Sequence, residues 1–380
     1  MNTINVKKNI MFFIYIVFNI FLVSLLFIFD KGYLYVSFFV FAGHVRDTLA
    51  IFIGLVNIVF NFCMRRGKNS RVKPLNNDRN FIYSLIPVYN EDADMVTKNL
   101  DSLVAQKLPT NTVNVLVLIF DGVTEKNKGL FEAVNNMVVF DEEKGEEIYS
   151  SCVYSSWKSS DRCKLTYKDG MYKGLRIIVA RKSINKGKKD SLIIGEKLIS
   201  DMYADDHEII FSRGVNESSN KAFVYHTDGD TVADENCLGE LLSTLSDENI
   251  DGVSSLIRVY KRDYLTTKGW MFSLMQDYQY FYSLMIRRNA ESVFSSTTCL
   301  PGCSNMIRIN KKSEGAIKNY ESTPKDTKGL LQTVTRMQGT DRRYTTLLMR
   351  EGGKVKMNYR AVVFTEPPLD VGSFIRQRRR

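Results

Sequence analysis

Apolar residues follow two regimes along this chain. Up to about residue 63 they form long runs, and from residue 80 they form short runs separated by polar turns. Residues 9–29 are almost continuously apolar, about the ~20 residues a helix needs to cross a hydrocarbon core. A second apolar stretch, residues 33–63, is interrupted by His44, Arg46 and Asp47. Those charges belong at a far interface or face a protein-lined cavity. From residue 80 the pattern is alternating α/β. Residues 81–87 (FIYSLIP) and 113–120 (VNVLVLIF) have the length and β-branched content of buried strands. Between them Val96, Leu100 and Leu103 fall at helical spacing within residues 93–106. Further strands are expected at residues 175–180, 221–226 and 252–259, and helices at 235–245 and 338–349. Residues 184–191 turn into a helix carrying Leu192, Ile193 and Ile194. The aromatic-rich residues 270–288 read as a helix beside a membrane or a bound chain. Residues 124–174 are polar and without assignable period, an uncommon length for a loop without a role.

Charge then orients the two apolar runs. Lys7 and Lys8 precede the first, and Arg65, Arg66, Lys68, Arg71 and Lys73 follow the second. The positive-inside rule places both clusters in the cytoplasm, so two spans joined by a short outer loop satisfy both ends. A secretory signal is disfavoured, because the first run is too long and lacks a small-residue cleavage site. The expected organisation is a transmembrane hairpin over residues 1–64, a cytoplasmic α/β domain over 65–365 and the start of an interfacial helix over 366–380. A net charge of +10 asks for an anionic partner. No RNP-like, helix-turn-helix or zinc-finger pattern points to nucleic acid. Of six cysteines only Cys299 and Cys303 are close, without the further ligands of a zinc site.

Candidate chemistry clusters where strands end. Tyr89-Asn90-Glu91, Asp121 and Asp228-Gly229-Asp230 follow the carboxyl ends of three expected strands, the edge at which open α/β sheets bind ligands. Asp228 and Asp230 suit Mg²⁺ or Mn²⁺, although a surface Asp-Gly-Asp turn has the same appearance. Residues 185–191 (NKGKKDS), with Lys188 and Asp190, combine a glycine with a helix start, as a phosphate cradle does; a solvated basic turn fits equally. Asp341, between Thr340 and Arg342, suits proton abstraction or a structural ion pair. Gln377, Arg378, Arg379 and Arg380 offer a dense positive fork to phosphate oxygens or to anionic lipid.

The order of these clusters resembles the processive family-2 glycosyltransferases, and chitin synthases most closely. Val88-Tyr89-Asn90-Glu91, Asp121-Gly122, Gly187-Lys188-Lys189-Asp190-Ser191 and Asp228-Gly229-Asp230-Thr231 are similar to that family's donor-side motifs. Glu291-Ser292-Val293-Phe294 followed by Cys299-Leu300-Pro301-Gly302-Cys303 is the most discriminating stretch. Gly339-Thr340-Asp341-Arg342 resembles its Gly-Glu-Asp-Arg motif, with Thr340 in place of Glu. Gln377–Arg380 resembles Gln-Arg-Arg-Arg-Trp without the Trp, so the native protein is expected to continue past Arg380 into further spans.

The resemblance implies an α/β fold of GT-A type with a mixed central sheet behind the hairpin. It implies an inverting, metal-dependent transfer of N-acetylglucosamine from UDP-GlcNAc to the 4-hydroxyl of a β-1,4-linked chitin chain. Asp341 would be the base, with Asp230 and Asp228 on a Mg²⁺ or Mn²⁺. Tyr89, Glu91, Asp121, Lys188, Asp190 and Asp228 would lie on the nucleotide and donor side, and Gln377, Arg378, Arg379 and Arg380 at the diphosphate and acceptor. The expected setting is the plasma membrane, with membrane lipid as a partner and the oligomeric state open, a homo-oligomer included. Two alternatives stay open: a related synthase making hyaluronan, cellulose or a short chito-oligosaccharide, and an anchored nucleotide- or lipid-binding protein without turnover.

Overall fold

The computed structural model describes residues 32–65, 79–125, 127–142, 145–149, 164–211, 220–260, 267–321 and 340–367, with 17, 24 and 372 besides. Strands β1 (Arg79–Val88) and β2 (Thr112–Phe120) are apolar at nearly every position because both faces of the sheet are covered. Alternate residues divide between two cores. Ile82 and Ile86 of β1 join Leu116, Leu118 and Phe120 of β2 on one face, beneath helices α2 (Ala93–Val104) and α5 (Cys237–Leu245). Tyr83 and Leu85 join Val115, Val117 and Ile119 on the other, beneath helix α4 (Lys188–Phe211). Helix α4 lies close because Gly195 faces the sheet: a Cβ there would stand 2.5 Å from Leu85 Cδ1.

Among the described residues the sheet has eleven strands and is mixed. Strands β6 (Leu175–Lys182), β2, β1 and β7 (Asn220–Thr227) run parallel at its centre. Strand β10 (Ser304–Arg308) lies antiparallel between β7 and β9 (Gly252–Val259). Strand β11 (Val355–Thr365) is parallel to β9, and β8 (Thr231–Ala233) closes that edge antiparallel to β11. At the other edge β5 (Leu165–Tyr172) pairs antiparallel with β6, β3 (Val139–Phe140) and β4 (Glu147–Tyr149).

Residues 124–174 thus contain structure that periodicity did not reveal: helix α3 (Lys128–Met137), β3, β4 and β5. Strand β5 sits near an edge and alternates irregularly between buried and exposed positions, so its pattern is too mixed to read. Strands β8 and β10 have three and five residues, too few for a period to register. Strand β11 and helix α8 (Lys311–Tyr320) were also not anticipated.

Helix α1 (Gly32–Arg65) is continuous through His44, Arg46 and Asp47. The charge of Asp47 faces protein, where it pairs with Arg287 at 2.8 Å. Arg287 belongs to a helical segment made of α6 (Thr267–Tyr280), a π-helical stretch (Phe281–Arg288) and α7 (Asn289–Val293). Asn57 donates to Asn289 Oδ1 (2.9 Å), and Asn289 donates to the Gly54 carbonyl (3.2 Å). Among the described residues no helix is long and apolar enough to cross a membrane. The expected first span, residues 9–29, lies outside them apart from Val17 and Ser24.

Candidate active site

Parallel pairing makes the ends of β1, β2, β6 and β7 nearly level, with Val88 beside Phe120, Phe120 beside Arg181 and Leu85 beside His226. Four loops therefore leave the sheet side by side, carrying residues 89–92, 121–125, 183–187 and 228–230. Asp121 is 4% exposed. Its Oδ1 accepts from Lys182 Nζ (2.5 Å) and the Lys186 N–H (3.1 Å), and its Oδ2 from the Gly187 N–H (2.8 Å). Lys182 also pairs with the fully buried Asp190 at 2.5 Å. Burial pushes the Asp190 carboxyl up from its ordinary value, against the pull of Lys182. Asp121, Lys182 and Asp190 thus form a buried charged triad on the underside of the 185–188 loop. Gly122 completes that loop's contact: its φ of +79° suits glycine, and a Cβ would lie 3.0 Å from the Asn185 nitrogen.

The upper side of the same loop carries Lys188. Its ammonium bonds Asp228 Oδ1 at the end of β7. Partial burial works against its charge, with 43% of the side chain still exposed, but Asp228 and Asp341 outweigh it and hold the Lys188 pKa above the ordinary lysine value. Asp230 is pushed up to about 6, by burial first and then by Asp228 and Glu91. Three carboxylates therefore lie close enough for Asp228 and Glu91 to act on the charge of Asp230. Glu91 is partly committed, because its Oε2 accepts from the Tyr89 N–H (2.6 Å) and the Asn90 N–H (2.9 Å). Tyr89 is itself 39% exposed.

Among the described residues no group of three or more His, Cys, Asp or Glu is arranged to hold a metal. The pair Asp228 and Asp230 nevertheless fits Mg²⁺ or Mn²⁺ chemically. These are hard cations that take few protein carboxylates alongside phosphate and water oxygens.

Asp341 comes from helix α9 (Thr340–Arg350), far away in sequence. Its carboxylate rests on the backbone of Gly302: a Cβ at that glycine would lie 2.7 Å from Asp341 Oδ1. The 299–303 loop is pinned to the helix. The Leu300 N–H donates to Thr345 Oγ1 (2.8 Å), and that hydroxyl donates to the Asp341 carbonyl (2.7 Å). Between the two sets of acids stands the Cys303 thiol. Burial, then the charges of Asp228, Asp341 and Asp230, push it well above its usual range, so it stays neutral.

The structure thus brings Glu91, Lys188, Asp228, Asp230 and Asp341 into one electrostatically coupled neighbourhood. It sets Asp121 and Asp190 against the loop that carries Lys188, Asp121 through the loop's backbone N–H groups and Asp190 through Lys182. Gln377, Arg378, Arg379 and Arg380 lie outside the described residues.

A family model described as chitin synthase matches residues 175–380, more than half of the chain. The chain belongs to the chitin synthase family. It is 26% identical over 318 residues to chitin synthase 8 of Gibberella zeae, covering 78% of this chain and 47% of that protein. It is 28% identical over 380 residues to chitin synthase csmA of Aspergillus niger, covering 90% of this chain and 23% of that protein. The chain spans less than half the length of these curated relatives. Among solved structures, the mannosyltransferase PcManGT from Pyrobaculum calidifontis, in complex with GDP-Man and Mn²⁺, covers 88% of this chain and 72% of its own. The identity is 15% and the TM-score 0.42.

Several supporting residues escaped the sequence reading of this family member. Asn99 of α2 donates to the carbonyls of Asp228 (3.2 Å) and Thr231 and so anchors the Asp-Gly-Asp turn. Asn127 is 1% exposed and donates to the carbonyls of Tyr89 and Gly122, both at 2.8 Å, joining two of the four loops. A buried polar chain links helix α9 to the loop that supports the Asp341 carboxylate. Tyr344 donates to Glu196 (3.1 Å), Glu196 faces His226 Nε2 (2.9 Å), and His226 Nδ1 meets Asn305 Oδ1 (3.0 Å). Asn305 then donates to the Pro301 carbonyl (2.7 Å). The available signal was polar residues at positions facing a core; without a partner in view, such a position is indistinguishable from a surface one.

Proposed function

We propose that this chain carries the catalytic region, of GT-A type, of an inverting synthase. It would transfer N-acetylglucosamine from UDP-GlcNAc to the 4-hydroxyl of a β-1,4-linked chitin chain. What carries the reading is the convergence of Asp341, Lys188, Asp228 and Asp230 at the carboxyl edge of the sheet in a member of the chitin synthase family.

In this mechanism Asp341 accepts the proton of the acceptor 4-hydroxyl while that oxygen attacks the anomeric carbon. The new C1–O bond forms as the bond to the diphosphate breaks, and UDP leaves with the electron pair. In-line attack turns the α-linked donor into a β-linked product. Asp230 and Asp228 would hold a Mg²⁺ or Mn²⁺, which supplies Lewis-acid neutralisation of the diphosphate. Lys188, kept protonated by the surrounding acids, adds fixed positive charge on that side. Tyr89 and Glu91 border the nucleotide. Asp121 and Asp190 act from below, fixing the 185–188 loop through Lys182. Gln377, Arg378, Arg379 and Arg380 are assigned to the diphosphate and the acceptor. We place the protein in the plasma membrane with its catalytic region in the cytoplasm. The apolar run at residues 9–29 and the basic cluster after residue 64 support this.

The test supplies UDP-GlcNAc alone and follows UDP release together with chitinase-sensitive polymer. Asp341→Asn is expected to abolish polymer while UDP binding persists. Loss of UDP binding in that variant would make Asp341 structural. A chitinase-resistant product from the unaltered chain would point instead to a sister polysaccharide.

A further inference from the structure

Where helix α1 meets the catalytic region, on the flank formed by α7 and β11, the structure leaves a cavity of about 430 Å³. That volume falls within the ~300–1,000 Å³ of small-molecule sites. Lys356 and Arg360 of β11 line it. Among the described residues neither side chain has a hydrogen-bond or ion-pair partner. Its floor is polar but satisfied: Asn289 is held by Asn57 and Gly54, and Asn358 donates to the Glu240 carbonyl at 2.9 Å. One acid lies on the rim, Asp247: its Oδ1 accepts from the Asn249 N–H and side-chain amide, both at 3.1 Å, and these bonds first, then the charges of Lys356 and Lys354, hold its carboxyl below the ordinary value. Neither cation is engaged at hydrogen-bond distance, and the one acid near them acts on Lys356 only through its charge.

The opposite side of the rim is apolar and open. Phe60 and Val293 line the cavity and are 59% and 48% exposed. From Phe60 the exposed face of α1 continues through Val56 and Phe52, at 51% and 65%. Successive steps of four residues put the three side chains on one helix face over about 12 Å. A paired-cation pocket opening onto an apolar stripe matches a molecule with an anionic head and hydrocarbon tails.

We propose that this cavity is a binding site for the phosphate headgroup of an anionic phospholipid, with Lys356 and Arg360 holding the phosphate and the acyl chains lying along Phe60, Val56 and Phe52. Such a lipid would bridge helix α1 and strand β11, and so couple the catalytic region to the charge of the surrounding leaflet.

The purified full chain in detergent is titrated with dihexanoyl phosphatidic acid, dihexanoyl phosphatidylcholine and inorganic phosphate, with thermal stabilisation as the readout. Phosphatidic acid is expected to stabilise at concentrations at least about tenfold below either of the others. The double variant Lys356→Gln/Arg360→Gln should lose at least about tenfold in that response while melting as the unaltered chain does without lipid; Arg360→Lys should keep most of it. Equal stabilisation by inorganic phosphate would reduce the site to an anion pocket and overturn the lipid assignment. Equal stabilisation by phosphatidylcholine would leave only an apolar surface. An unchanged response in the double variant would place lipid elsewhere.

Discussion

Gly302→Ala tests whether the position of the Asp341 carboxylate, and not only its charge, governs polymerisation. A Cβ at residue 302 would lie 2.7 Å from Asp341 Oδ1, 3.2 Å from Cγ and 3.4 Å from Oδ2. An ordinary C···O contact begins near ~3.4 Å, so the nearest oxygen must retreat by roughly 0.7 Å. The atoms in the way are the tip of a side chain, so the fold can absorb the methyl by rotating Asp341. The reacting geometry cannot. Misplacement by ~1 Å can lower a rate about a hundredfold, so a loss of roughly 10–100-fold in kcat is expected, or ~1.4–2.7 kcal/mol of transition-state stabilisation. Donor KM should change little, because the Asp228 side of the site is untouched. The assay is initial UDP release coupled to polymer formation, with thermal melting of the same preparation to confirm folding. A folded Gly302→Ala variant that polymerises at the unaltered rate would refute the argument, because Asp341 would then act, if at all, from elsewhere.

Four further outcomes follow from the same geometry. Lys182→Met strands the buried Asp121 and Asp190 carboxylates without their cation and should cost about 3–5 kcal/mol of stability. Adding Asp190→Asn should restore part of that, and an unchanged denaturant midpoint would show that the triad carries no such weight. Asn305→Leu breaks the bridge from His226 to the Pro301 carbonyl and should cost about 1–3 kcal/mol, with kcat falling more than donor affinity. Gly195→Val forces side-chain atoms into Leu85 and Ile119, where even a Cβ meets Cδ1 atoms at 2.5 and 2.7 Å. About 1–3 kcal/mol of overpacking is expected in a melting experiment. Chelation with EDTA should stop polymerisation and added Mg²⁺ or Mn²⁺ restore it, but not in Asp230→Asn; full turnover in EDTA would remove the cation from the mechanism.

Much of this architecture was legible in the residues alone. The central strands 81–87 and 113–120 announced themselves because a strand buried on both faces must be apolar at nearly every position. Asp228 and Asp341 stood out because local motifs carry them, at a strand end and in a helix's first turn. Half-exposed elements such as β5, next to the sheet's edge, and helix α8 were harder to see, since half-exposed surfaces dilute any period.

What residue order determined, then, is local: which segments can be strands, where the chain must turn, and which short motifs carry acids and lysines. What only the tertiary structure decided is which of those groups face one another. Lys188 and Asp228 are 40 residues apart in sequence and joined by a hydrogen bond. Asp341 rests on Gly302 because Thr345 pins a distant loop to its helix. Asp121 and Asp190 proved to lie under the loop, paired with a lysine that no motif had singled out. The physical reason is that a side chain's burial and its partner are set by packing between elements far apart in the chain, and linear spacing holds no record of that.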